Sequence, residues 1–420
     1  MGRASLVAMM LAGSGLLAAC GSTPQPPASI VSAASPPSDG RPPTIAPATL
    51  GGYRWTPVDP GQFGGVGLDA VTSTTDRGLL GVGDWLTAEA PDGAPRHPTV
   101  WSSTDGTTWS RLPDSPALGS HRNGWDEVVL DVVPSGTGFV AAGMEQQDDS
   151  SNADAAAWIS PDGTTWTRAT VKDGIGRTME QVLATDGGFV AIGEARYDFH
   201  AGFGAGSAIW TSSDGRTWTR IPDKEGPPPG TRLASVVAGT GEFLASATSE
   251  VGQGAEDNNP RRPVTDGIWR STDAIHWEPI PGTPLGAGGL VRLTDGFVAI
   301  GSSRNQGGIS NPLAWRSTDG HAWIEVGLPR PAGVPIGTSI YGTRLASGAA
   351  GLLAFGERDD DFSTVGWSSS DSAAWALLDP TAILHGATID RSYTANGSIL
   401  LLGTRSTAGD NKPVAWLLAP

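Results

Sequence analysis

Cysteine is almost absent: Cys20 is the only one in 420 residues, so no intramolecular disulfide can form and thiol catalysis in the body of the chain is excluded. Basic residues are also scarce, with 27 Lys and Arg against 43 Asp and Glu, a formal net charge of −16. That balance disfavours nucleic acid and anionic lipid head groups, which need clustered cations. Histidine is sparse and scattered (His97, His121, His200, His276, His321, His385), so no metal ligand set follows and no metal or cofactor is expected. There is no GxSxG elbow, no HExxH, and no phosphate-cradling glycine loop before a helix. After residue 30 no long stretch has helical periodicity, and the apolar runs are too short and too rich in Gly and Val for helices. An α/β fold and an α-solenoid are thereby excluded.

What the chain does have is turns and repeats. Gly 59 and Pro 33 point to many short strands joined by tight reversals. The segment WSSTDGTTWSRLP at Trp101 returns at Trp158, Trp210, Trp269, Trp315 and Trp367. Upstream of each lies a glycine-flanked apolar element such as GFVAAG from Gly138 or GFVAIG from Gly188 and Gly296. A further short apolar strand precedes that, for example Val128 to Val133 or Leu233 to Val237. Four strands in roughly fifty residues is the size of a propeller blade.

The ends set the blade count. The last unit stops after Val414-Ala415-Trp416, and Tyr53 to Val58 supplies the strand it lacks, with Trp55 matching Trp109. The expected fold is all-β: one seven-bladed propeller of four-stranded blades over 51–420, its ring closed by the N-terminal strand joining the C-terminal blade. All tryptophans but Trp85 and Trp125 fall on repeat positions.

Residues 1–19 carry Arg3 and an apolar run from Leu6 to Leu17, too short to span a bilayer. Leu17-Ala18-Ala19-Cys20 then resembles the lipobox of bacterial lipoproteins. The resemblance implies a signal peptide over 1–19, acylation of Cys20, and a lipid anchor facing outward from the bacterial cell membrane. Residues 20–50, rich in Pro, Ser and Ala, read as a disordered tether.

The repeated Ser-x-Asp-Gly-x-x-Trp resembles the BNR or Asp-box repeat of sialidases, sortilin-type receptors and photosystem assembly propellers, and the resemblance covers nearly all of 53–420. The Gly follows the Asp one residue earlier than in the common form, and Ala274 and Ser372 replace it in two units. Asp105, Asp162, Asp214, Asp273, Asp319 and Asp371 are expected to pin hairpin turns by accepting backbone N–H bonds, because one active site does not need six copies. The tryptophan that follows is expected in the core, where a large apolar side chain contributes roughly 1.5–3 kcal/mol or more.

Ligand-binding candidates then lie on the opposite face, among loops between second and third strands and between blades. Trp85 and Trp125 suit sugar or peptide contact, or pack locally. Arg122, Arg177 and Arg232 each precede an inner strand and either grip a carboxylate near the channel mouth or pair with the acidic loops. Those loops, 144–154, 256–259 and 357–361, suit calcium in oxygen content but not in spacing, or are simply solvated.

For a sialidase-like glycoside hydrolase, the resemblance requires an arginine triad, a tyrosine nucleophile and an acid/base carboxylate. Four tyrosines are available. Tyr53 belongs to the closing strand, whereas Tyr197, beside Glu194 and Asp198, and Tyr341, expected in an inter-blade loop, remain open as nucleophiles or ligand contacts. The reading preferred is a monomeric lipid-anchored binding or scaffolding propeller for a protein or cell-envelope ligand. The alternatives are that glycosidase and a lectin-like cell-wall glycan binder.

Overall fold

The computed structural model describes residues 48–420 except 64–67, 75–77, 86–96, 120–121, 123, 137, 148–152, 196–205, 229, 240, 250–266, 284–287, 305–308, 380, 385 and 408–409. The strands form seven sheets ordered from an inner to an outer strand, antiparallel except that Thr170–Val171 runs parallel to Thr217–Arg220 at the outer edge of blade 3. Blade 2 is representative: Trp125–Ser135 is innermost, followed by Gly138–Gln147, Ala153–Ser160 and Thr167–Arg168. Blade 7 closes as expected, with Tyr53–Val58 pairing antiparallel to Asp410–Ala419 so that Val58 meets Ala415 and Arg54 meets Ala419. The described chain begins earlier than the expected boundary, because Ala48–Leu50 adds one more strand outside Tyr53–Val58. Among the described residues the only α-helical piece is Thr381–Leu384, and no helix is long and apolar enough to cross a membrane.

The first half of the second strand, as in Phe139-Val140-Ala141-Ala142 or Ile399-Leu400-Leu401-Leu402, is apolar because both of its faces are buried against neighbouring sheets. In blade 2, Phe139 and Ala141 join a cluster with Leu80, Val82 and Val100 of blade 1. The alternate residues Val140 and Ala142 join Val182, Ala191 and Trp210 of blade 3. Period-two alternation therefore shares one strand between two inter-blade cores rather than dividing core from solvent. The glycine that follows the apolar stretch of this strand is imposed by sterics. A Cβ on Gly143 would lie 1.9 Å from the Val128 carbonyl oxygen, and one on Gly193 would lie 1.8 Å from that of Thr178. In blade 2 a bulge in the inner strand between Val129 and Asp131 accompanies this close approach.

Turns between third and fourth strands are built alike. Asp105 Oδ1 accepts from the N–H groups of Thr107 and Thr108 at 2.8 and 2.7 Å, and Ser103 Oγ accepts from Gly106 N–H at 2.8 Å. Trp109 Nε1 donates back to the Gly106 carbonyl at 3.0 Å. The same aspartate-to-backbone pairs recur at Asp162, Asp214, Asp273, Asp319 and Asp371. Hydrogen bonds from Thr108 and Thr107 hold Asp105 down to about 2, and bonds from Thr165 and Thr164 do the same for Asp162. The residue after the aspartate is left-handed throughout, and Ala274 and Ser372 are forced to φ 60° where the other units have glycine.

Candidate functional site

The chain reversals divide the ring into a turn face, bearing the Ser-x-Asp turns, and a loop face, where second strands pass to third strands and blades join. The best-defined polar assembly on the loop face belongs to blade 2. Strand register sets Glu127 opposite Glu145 and Glu145 opposite Asp154, so three carboxylates stand in a row across three strands. Arg168, on the outermost strand, lies over the Trp158 ring at 5.5 Å and reaches inward to both Glu127 and Glu145. Arg122 comes from the preceding turn, where it pairs with Asp154 at 2.6 Å and approaches Glu145 at 3.5 Å. Its guanidinium also sits 4.6 Å from the centre of the Trp125 ring.

Glu127 and Glu145 are fully buried, which is tolerable only because two guanidinium groups lie against them. Burial pushes Glu127 up to about 7; Arg168 opposes the shift and the Glu145 charge adds to it. The outer rim is made by half-buried Trp125 and by Ile175, which is 76% exposed and tied back to Asp154 through a bridge and through Gly176 N–H at 3.0 Å. Carboxylates sealed by arginine suit a rigid charged base. The arginine-capped indole beside an exposed isoleucine suits a contact surface.

The three arginines from the sequence do not form one cluster. Arg122 serves blade 2 as described, whereas Arg232, already inside the strand Thr231–Ala238, pairs with Glu180 at 3.1 Å and Glu194 at 3.7 Å. Arg177 donates to the Ile175 carbonyl at 2.7 Å. Tyr341 is not in an inter-blade loop: it is the second residue of the inner strand Ile340–Gly348, because the linker ends sooner than its sequence suggests. Trp125 likewise opens an inner strand, and Trp85 ends the strand Gly78–Trp85. The Trp85 side chain, Tyr197 and Cys20 lie outside the described residues, as do the acidic residues 256–259. Among the described residues no group of three or more His, Cys, Asp or Glu is arranged to hold a metal ion.

One set of residues went unnoticed in the sequence. At a single structural position on the inner strands, a polar side chain reaches the next blade's backbone. Asp131 accepts Val182 N–H at 2.8 Å, and Gln181 clamps Val236 through its N–H at 3.0 Å and its carbonyl at 2.7 Å. Arg344 Nε donates to the Asp390 carbonyl at 2.6 Å, and Arg391 donates to the Asp69 carbonyl at 2.5 Å. Tyr393 OH joins the same Asp69 carbonyl at 2.6 Å, and burial pushes its phenol well up. The available signal was a lone polar residue inside an apolar inner strand, as in Val-Val-Leu-Asp131-Val-Val.

No protein-family model matches this chain, and no curated protein matches it either. Solved structures with related folds include a Trypanosoma rangeli sialidase bound to the inhibitor DANA, at 14% identity and a TM-score of 0.42. That match covers 74% of this chain but 54% of the sialidase, so the chain spans about half its length. An N-acetylgalactosamine deacetylase from F. plautii, in complex with blood group B trisaccharide, matches at 14% identity and a TM-score of 0.37, covering 84% of this chain and 89% of its own. Sucrose-6-phosphate hydrolase from Lactobacillus gasseri matches at 11% identity and a TM-score of 0.35, covering 84% and 90%. Likeness at this level concerns the fold, and the activities in those names belong to those proteins.

Proposed function

We propose that this chain is an outward-facing, lipid-anchored binding propeller that holds a protein or cell-envelope component against its loop face. The observation that carries the reading is the contrast in chain reversals. Between third and fourth strands the turn runs from Ser103 to Trp109, Ser160 to Trp166, Ser212 to Trp218, Ser271 to Trp277, Ser317 to Trp323 and Ser369 to Trp375, the same interval in blades 1 to 6. From second to third strand it runs from Thr407 to Asp410 in blade 7 but from Ser249 to Gly267 in blade 4. A scaffold with one invariant face and one variable face serves recognition. The lipobox-like Leu-Ala-Ala-Cys20 supports the anchor and the location, and the net charge of −16 supports a partner other than nucleic acid.

The test is photocrosslinking on intact cells with the full chain, comparing a crosslinking side chain at Ile175 with one at Thr108 on the turn face. Adducts from Ile175 that are absent from Thr108 and weaken with Trp125→Ala are the expected result. Equal labelling from both faces, or turnover of fluorogenic sialosides and other glycosides by the purified chain, would overturn the reading.

A further inference from the structure

Six large apolar side chains are the most exposed among the described residues, and four of them, Ile175, Ile336, Tyr341 and Phe362, lie on the loop face. Three of those four belong to the loop-face end of blade 6. Ile336 is 88% exposed in the linker entering that blade, Tyr341 is 37% exposed at the start of its inner strand, and Phe362 is 66% exposed between its second and third strands.

These side chains stand on a braced platform. The two loops are stitched together by Ser339 N–H to Asp359 Oδ1 at 2.9 Å, Asp359 N–H to the Ser339 carbonyl at 3.1 Å, and Thr338 Oγ1 to Asp360 Oδ2 at 3.2 Å. Arg330 fixes the turn that carries Ile336, donating to the Pro335 carbonyl at 2.6 Å and also to the Thr338 carbonyl. Arg358 holds Asp360 at 2.6 Å and Asp361 at 3.2 Å from beneath. Phe362 itself is left-handed at φ 58°, a conformation a bulky side chain rarely adopts, and its ring is not buried in return.

Charge says what would cover this surface. Asp359, Asp360 and Asp361 are all exposed, with Glu357 paired across from Tyr341 behind them. Arg330 and Arg358 direct their bonds into the two loops, so the rim presents carboxylates around apolar side chains. A second copy of the chain, at a net charge of −16, would be repelled. An extended segment offering an apolar side chain beside lysine or arginine meets both features: it buries Ile336 and Phe362 and pairs with the rim. We infer that blade 6 docks a polypeptide segment in which apolar residues alternate with lysine or arginine. This rests on the binding reading above and adds the partner's chemistry and its place on the ring.

The experiment is fluorescence anisotropy of the purified full chain with three synthetic peptides of equal length: Lys/Leu-alternating, Glu/Leu-alternating and Lys/Ser-alternating. The expected result is saturable, salt-weakened binding of the Lys/Leu peptide alone. The double variant Ile336→Ser, Phe362→Gly should lose it by about tenfold or more. Phe362→Gly relieves the left-handed residue, so an unchanged or raised melting temperature shows that the variant is folded. Asp361→Asn, at a half-exposed site, provides a second variant that should weaken binding while removing no apolar contact. Absence of Lys/Leu binding, equal binding of the Glu/Leu or Lys/Ser peptide, or equal affinity in the double variant would each overturn the inference. So would self-association of the wild-type chain that the double variant abolishes, since the occupant would then be a second copy. Cell-surface adducts from Ile175 that persist in the double variant would leave the binding reading intact and remove blade 6 from it.

Discussion

On the turn face, Asp162 holds two backbone N–H groups and Trp166 turns its indole inward to the Gly163 carbonyl, and the pattern repeats from blade to blade. On the loop face, the comparable end of the same blade has Arg122 over Trp125 and exposed Ile175, a set that no other blade repeats among the described residues. Both faces are polar and both carry tryptophan. The difference is that the turn face satisfies its polar groups within a few residues of sequence, so the copies share one hydrogen-bond plan and are closed. The loop face satisfies them across strands and blades, so each copy is particular and leaves side chains outward. Repetition in sequence marks what holds a ring together, and departures from it mark where recognition can reside.

The sharpest way to break this comparison is to truncate one tryptophan from each face. Trp218→Ala removes a fully buried ring and should lower unfolding free energy by about 3–5 kcal/mol in urea titration. Trp125→Ala, half-buried on the loop face, should cost about 1 kcal/mol or less while reducing partner crosslinking. Equal losses would erase the distinction between the faces.

The two faces should also answer pH in opposite directions. Folded Glu127 keeps its proton up to about 7, against 4.5 for an unperturbed glutamate. The folded state therefore binds more protons than the unfolded state between those values, and stability falls as pH rises through that window, by about 3 kcal/mol. Glu127→Gln should flatten that slope in melting temperature. Asp105 and Asp162, held down to about 2, act in the other sense: their contribution is complete above about pH 4 and is lost as pH falls towards 2. Asp162→Ala should remove one such contribution at neutral pH, about 1–2 kcal/mol by chemical denaturation.

The smallest expected effect is a gain. Ala274→Gly should stabilise by about 1 kcal/mol, because the residue sits at φ 60° where the neighbouring units use glycine. Ser372→Gly should gain less, since Ser372 Oγ donates to the Asp371 carbonyl at 2.5 Å and would lose that bond.

The blades, their number and the closing strand were legible in the sequence because each rests on local, repeated chemistry: a glycine at a close approach, an aspartate within three residues of its donors, a tryptophan at fixed spacing. The candidate site was legible only in part. Trp125 was recognisable as lying outside the repeat and Arg122 as one of three arginines preceding inner strands, but nothing local shows that Arg122 spans to Asp154 or that Arg168 crosses the blade to Glu127. The inner belt was hidden for the same reason, since Asp131 meets Val182 only after a bulge resets the strand register. Ile336 and Phe362 carry no pattern at all, and their exposure emerges only when the two loops are stitched together.

The closing strand also sets an order in time. Tyr53–Val58 is synthesised before the strands of the six other blades, and its partner Asp410–Ala419 after them. A chain emerging from the ribosome or crossing a membrane N-terminus first must carry Tyr53 and Trp55, both destined for full burial, without the partner strand until the six intervening blades have arrived. The last contact to form thus joins the most distant parts of the sequence, a slow step by its loop length and one during which an unpaired edge is exposed to other chains.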